Sequence, residues 1–155
     1  MTRQKQPWEN IMPHLVESIL LEKGSDIITV RTDATIRQAA KIMIDTNVGC
    51  LIAEDDRGVV GILTERDVLR RVIGCDKDPN STPVSEIMSS PINSCTPSDD
   101  IEEIFKILSA SNNRHLLVVD HDKPVGVISL RDISFILHHA DRERQRLAVS
   151  GVEYL

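Results

Sequence analysis

GILTERD (Gly61–Asp67) reads as the end of a strand running into the first turn of a helix, and its pattern returns as GVISLRD (Gly126–Asp132). Glycine, two aliphatics, a hydroxyl residue, two variable positions and aspartate stand in the same order in both. Taken singly, a hydroxyl with a carboxylate three residues later is a helix cap of the S/T-x-x-D type. Two copies require an explanation at the level of a repeat.

Working outward, the chain matches itself without a gap at an offset of 65, from Ile28–Ile73 onto Asn93–His138. Self-similarity at this distance marks a duplicated structural unit. Each copy opens with a short segment, DIITV or PINSC, and a polar turn, TDAT or PSDD, that suits a helix N-terminus. The helix that follows carries Ile36, Ala39, Ala40 and Met43 in one copy and Ile101, Ile104, Phe105 and Leu108 in the other, an i, i+3, i+4, i+7 stripe that predicts one buried face. VGCLIAEDDRGVVGIL and NRHLLVVDHDKPVGVI then read as β-hairpins, each with a polar turn between aliphatic runs. A second helix is expected through Val68, Leu69, Val72 and Ile73, or through Ile133, Ile136 and Leu137.

The unit is thus β-α-β-β-α, with a short helical segment upstream of each copy, LVESIL and PVSEIM. A small sheet in a unit of about 60 residues leaves one face uncovered, and the same face of the other copy is its most economical cover. The expectation is an α+β fold of two repeats packed sheet to sheet with pseudo-twofold symmetry. The boundaries are residues 12–73 for the first repeat, 74–83 for a linker (GCDKDPNSTP), 84–138 for the second repeat and 139–155 for a helical tail. That tail either extends the last helix or forms a solvated end. Trp8, Ile11, Leu15 and Ile19 suggest an N-terminal helix, which Pro13 would kink.

Composition narrows the function. A chain of 155 residues buries roughly 70% of its unfolded surface without help from metals or disulfides. Aromatics are only 3% against 41% hydrophobic residues, so the core is aliphatic. A net charge of −6 gives no general attraction to nucleic acid or anionic membranes, and neither is expected as a main partner. Cys50, Cys75 and Cys95 are odd in number and lack C-x-x-C spacing, which argues against a disulfide framework or zinc site. Adjacent His138 and His139 point about 100 degrees apart on a helix and do not chelate one metal together. No Ser-His-Asp or Cys-His arrangement can be read, so no catalysis is expected. The start, MTRQKQPWEN, lacks the apolar stretch of a signal peptide and no apolar run approaches ~20 residues, so the protein is expected in the cytoplasm.

DATIRQAAKIM, VGCLIAEDDRGVVGILTERDVLRRV and RHLLVVDHDKPVGVISLRDI, in tandem units ending in glycine, two aliphatics, T/S-x-x-D, resemble a pair of CBS domains, the repeat first named from cystathionine β-synthase. The resemblance covers roughly residues 12–140 and is to stand-alone two-repeat members without an enzyme domain. It implies a non-catalytic regulatory module, requiring no cofactor, that binds adenosine ligands in clefts between repeats. AMP, ADP or ATP stand ahead of S-adenosylmethionine or NAD. It also implies a homodimer and an unidentified regulated protein.

The resemblance further assigns Asp67 and Asp132 to ribose hydroxyls, Thr64 and Ser129 to ribose or phosphate, and Ile62 and Val127 to the flanks of the base. The main cleft, around Asp67, would be completed by Ile92, Asn93, Arg114 and His115, with Arg114 and His115 toward phosphate. Affinity for a phosphorylated adenosine should then strengthen below neutral pH as His115 gains a proton. The second cleft, around Asp132, would receive Ile27, Ile28, Gly49 and Cys50, without a basic group at the equivalent place, and would bind uncharged adenosine, bind weakly or stay empty. Arg66 and Arg131, identical in both copies, either reach phosphate or face solvent; a local basic patch of Arg66, Arg70 and Arg71 is the remaining nucleic-acid feature. The alternative function is a ligand-free interaction module acting on an enzyme, transporter or transcription factor.

Overall fold

The computed structural model describes residues 15–149. Trp8, Ile11 and Pro13 of the expected N-terminal helix, the first residues of the 12–73 repeat and the last of the tail lie outside the described residues. The elements run α1 (Val16–Lys23), β1 (Thr29–Arg31), α2 (Ile36–Thr46), β2 (Cys50–Asp55), β3 (Gly58–Thr64), α3 (Glu65–Asp67), α4 (Val84–Ile87), β4 (Ser94–Cys95), α5 (Ile101–Ala110), β5 (His115–Asp120), β6 (Lys123–Ser129) and α6 (Leu130–Val149). They form two compact units, residues 26–93 and residues 94–149 with the described part of 1–25.

In the 26–93 unit the sheet has the order β1-β2-β3, with β1 parallel to β2 and β2 antiparallel to β3. The other sheet repeats this as β4-β5-β6. The expected helices form for the reasons visible in the sequence. Thr35 and Gln38 cap α2 reciprocally at 3.2 and 2.9 Å, and Asn47 ends it in the left-handed region at φ 54. Asp100 caps α5 by accepting from Glu103 N at 3.1 Å. The buried faces are Ile36, Ala39 and Met43, and Ile101, Ile104 and Leu108; Ala40 and Phe105 are half-buried at the edges of those stripes.

Both hairpins are bulged at the same place. Pairing jumps from Ala53–Gly61 to Glu54–Val59 in one and from Val118–Gly126 to Val119–Pro124 in the other, leaving Val60 and Val125 unopposed. A bulge bends its strand and increases local twist. Each bulge sits just before the glycine of the repeated motif.

The second helix departs from expectation in the first repeat. After the single turn of α3, the chain widens into a π turn over Val68–Val72 and tightens into a 3-10 turn over Ile73–Cys75. A π turn closes on the fifth residue rather than the fourth and so shifts the apolar spacing. Val72 is fully buried, whereas Leu69 and Ile73 are 63% and 57% exposed, so the predicted stripe is only half realised. In the second repeat α6 runs unbroken to Val149, burying Ile133, so residues 139–149 of the tail extend the last helix.

The upstream helical segments exchange repeats. Val84 and Ile87 of α4 are buried with Ile36, Leu51 and Leu63 of the first repeat. Val16 and Ile19 of α1 are buried with Ile101, Leu116 and Ile128 of the second. Isolated bridges mark the exchange, Thr35 with Pro83 and Leu15 with Asp100. A four-residue helix such as α4 is not stable alone; burying Val84 and Ile87, each worth about 1.5–3 kcal/mol, holds it.

That packing explains the glycines. A Cβ on Gly61 would lie 2.8 Å from the Ser89 carbonyl oxygen and 2.9 Å from Met88 Sδ, and one on Gly126 would lie 2.5 Å from Leu20 Cδ2. Ser89 cannot yield, because its backbone makes two hydrogen bonds to Ile62, at 2.9 and 3.0 Å. The Leu20 side chain can rotate. Overpacking costs about 1–3 kcal/mol, so Gly61→Ala is expected at the upper end and Gly126→Ala at the lower. Urea denaturation of the two variants checks the order; equal costs, or a larger one for Gly126→Ala, would count against this account.

Candidate ligand-binding site

Thr64 ends β3 with extended backbone (φ −113, ψ 158) and caps α3. Its hydroxyl accepts from Asp67 N at 3.2 Å and donates to Asp67 Oδ2 at 2.9 Å, while Thr64 N donates to the same oxygen at 2.9 Å. The second repeat is built alike: Asp132 N donates to Ser129 Oγ at 3.1 Å and Ser129 N to Asp132 Oδ2 at 2.8 Å. The cap reading of T-E-R-D and S-L-R-D therefore holds in both copies. Such a cap fixes a carboxylate beside the strand end, and a fixed carboxylate is an acceptor for hydroxyl or ammonium donors.

The residues around the two caps differ. Within the 26–93 unit, Ile62 exchanges backbone hydrogen bonds with Ser89, bringing the segment that leads to Ile92 and Asn93 onto the edge of β3. Ile27, Ile28 and Cys50 belong to the same unit. Glu65 N donates to Gly49 O at 2.9 Å, and Cys50 pairs with Thr64, so Gly49 and Cys50 flank the Thr64 cap. Arg114, His115, Val127, Ser129, Arg131 and Asp132 belong to the other unit. There Leu130 N donates to Arg114 O at 2.8 Å and His115 pairs with Ser129, so Arg114 and His115 flank the Ser129 cap.

One cation was not legible as a site residue. Lys23, in the last turn of α1, donates from Nζ to Asp132 Oδ2 at 2.7 Å and to Val127 O at 3.0 Å. Val127 matches Ile62 in the repeat, so the ammonium stands where the first repeat offers the Ser89 backbone. The upstream helices align at a different offset, Leu15 with Pro83, and by that alignment Lys23 falls opposite Pro91. No basic twin drew attention to it. Asp67, by contrast, enters no ion pair among the described residues.

Burial alone would push the Asp132 carboxyl up, but hydrogen bonds from Lys23 and the Ser129 backbone outweigh it and hold the group below its ordinary range. Burial pushes the Cys95 thiol up to about 12, which leaves it inert. Arg71 donates to Ile87 O at 2.9 Å and so caps α4. Among the described residues no group of His, Cys, Asp and Glu is placed to hold a metal. None of the described helices is long and apolar enough to cross a membrane.

Two β-α-β-β-α units with duplicated strand-to-helix caps define a two-repeat module of the CBS type. The CBS domain family model matches residues 16–74 and 84–139, and the chain belongs to that family of regulatory modules. It is 32% identical over 110 residues to the CBS domain-containing protein YhcV of Bacillus subtilis, covering 71% of this chain and 78% of YhcV. It is 31% identical over 122 residues to the mitochondrial CBS domain-containing protein CBSX3 of Arabidopsis thaliana, covering 75% of this chain but only 59% of that one. Among solved structures, a CBS-domain-containing protein from Agrobacterium tumefaciens superposes with a TM-score of 0.74 at 29% identity, over 80% of this chain and 93% of that one.

The Lys23–Asp132 pair makes stability depend on pH. The folded carboxyl lies below its ordinary value of 3.8, so the unfolded chain binds the proton first as pH falls. The pair's contribution is present above 3.8 and is lost as pH falls through the lower folded value. With the Lys23 side chain 39% exposed, solvent screening limits the pair to about 1 kcal/mol or less. Unfolding of the wild type and Lys23→Gln should therefore differ by a small constant amount from pH 7 to about pH 5 and converge in acid; a gap that widens below pH 4 would contradict this.

Proposed function

We propose that the chain is a non-catalytic, cytoplasmic regulatory module that binds an adenosine nucleotide (AMP, ADP or ATP), with Asp67 accepting the ribose hydroxyls. The observation that carries this reading is the state of the Asp67 carboxylate. It is held by Thr64 through Oδ2 alone and enters no ion pair among the described residues. An acceptor already ordered has little conformational freedom left to lose on binding, and a cis-diol supplies two charge-assisted hydrogen bonds. Ile62, Thr64, Arg66, Ile92 and Asn93 accompany Asp67 in the same unit, and membership of a regulatory family supports the reading. Arg114 and His115 are assigned to phosphate on the sequence resemblance. S-adenosylmethionine and NAD rank behind the nucleotides.

The output would be a ligand-dependent change in a homodimer or in the grip on a regulated protein, and a ligand drives such a change only through unequal affinity for the two states. Calorimetric titration of AMP tests the site. Losing charge-assisted hydrogen bonds worth about 1.5–3 kcal/mol should weaken binding by roughly 10-fold or more in Asp67→Ala. Asp67→Asn, which keeps an acceptor for the cap, separates loss of ligand contact from loss of the helix start. Undiminished affinity in both variants overturns the assignment. Failure of every adenosine compound to raise the melting temperature of the wild type would leave the ligand-free interaction module in its place.

A further inference from the structure

We propose that Lys23 biases the Asp132 cap against an uncharged nucleoside and toward a ligand carrying both a cis-diol and an anionic group. This rests on the nucleotide reading given above. The ammonium of Lys23 is bonded at once to Asp132 Oδ2 (2.7 Å) and Val127 O (3.0 Å), so it covers both the carboxylate and the strand-edge carbonyl that flank the second cap. A pocket of about 290 Å³ opens beside the pair between α1 and α6, with Ile19, Phe135 and Ile136 as apolar wall and the Glu22 carboxylate at its lining beside the two cations Lys23 and Arg131. Arg131 lines it too and makes no ion pair among the described residues.

Displacing an ion pair from a partly enclosed place carries a condition. A diol that takes Asp132 leaves the Lys23 ammonium with Val127 O but without its counter-charge, a modest cost because the lysine side chain is 39% exposed. A ligand that brings an anionic group along with the diol re-pairs both halves: the hydroxyls take Asp132, and Lys23 with Arg131 takes the anion. The uncharged adenosine for which the sequence made room at this site is therefore the ligand that Lys23 disfavours. In the first repeat Asp67 has no such counter-ion among the described residues, so the two caps differ in the ligand they favour.

Asp67→Ala chains isolate the second cap. Adenosine and AMP are titrated calorimetrically into Asp67→Ala and into Asp67→Ala with Lys23→Gln. The expected result is that removing Lys23 strengthens adenosine binding and lowers the preference for AMP over adenosine, each by about 2- to 5-fold, as the release of a screened ion pair allows. Adding Asp132→Asn should abolish the gained adenosine binding. An AMP preference unaltered by Lys23→Gln, or no binding at this cap even with Lys23 removed while the wild type binds AMP, overturns the proposal and leaves the Asp67 reading intact. No binding of either compound to any form, wild type included, overturns both.

Discussion

A hydroxyl and a carboxylate three residues apart, exchanging hydrogen bonds with each other's backbone N–H groups, fix the point where strand becomes helix in each unit. That junction sets the direction in which the second helix leaves the sheet, and hence which of its residues reach the core. It also brings an acid to the end of a strand whose backbone edge is already engaged, by Ser89 in one copy and by Lys23 in the other. The same bonds that begin the helix hold the carboxylate still, so the structural role and the proposed binding role reside in one pair of side chains.

The two copies share this junction but not its surroundings. In the first, the upstream helix stops at Ile87 and the chain lies extended along Ile62. In the second, α1 continues through Lys23 before Gly24 ends it at φ 93. A few residues of extra helix exchange a backbone partner for an ammonium ion. Two caps built on the same backbone bonds thus differ electrostatically: Asp132 is paired with an ammonium, and Asp67 is in no ion pair among the described residues.

Much of this was legible in the sequence, because offset and periodicity are local properties. The stripes on α2 and α5, the hairpins and the hydroxyl–aspartate caps follow from spacing alone. Leu69 and Ile73 were placed in the core by a 3.6-residue rhythm, and the π turn that exposes them leaves no mark in composition. The glycines at 61 and 126 were visible as motif positions, but their reason, the approach of Ser89, Met88 and Leu20, lies in another stretch of chain. Lys23 escaped for the same cause: its partner is 109 residues away, and no repeat relation points from one to the other.

The exchange of upstream helices means that the unit duplicated in the gene is not the unit that is closed in space. Cutting the chain between the sequence repeats would take α4 from the first sheet and α1 from the second, removing Val84 and Ile87 from one core and Val16 and Ile19 from the other. The compact unit that is contiguous in sequence is the stretch 26–93, which begins inside one repeat and ends inside the next. In genetic terms the module is a circular permutation of its own repeat, and the boundaries of its compact units fall near residues 25 and 94 rather than in the 74–83 linker.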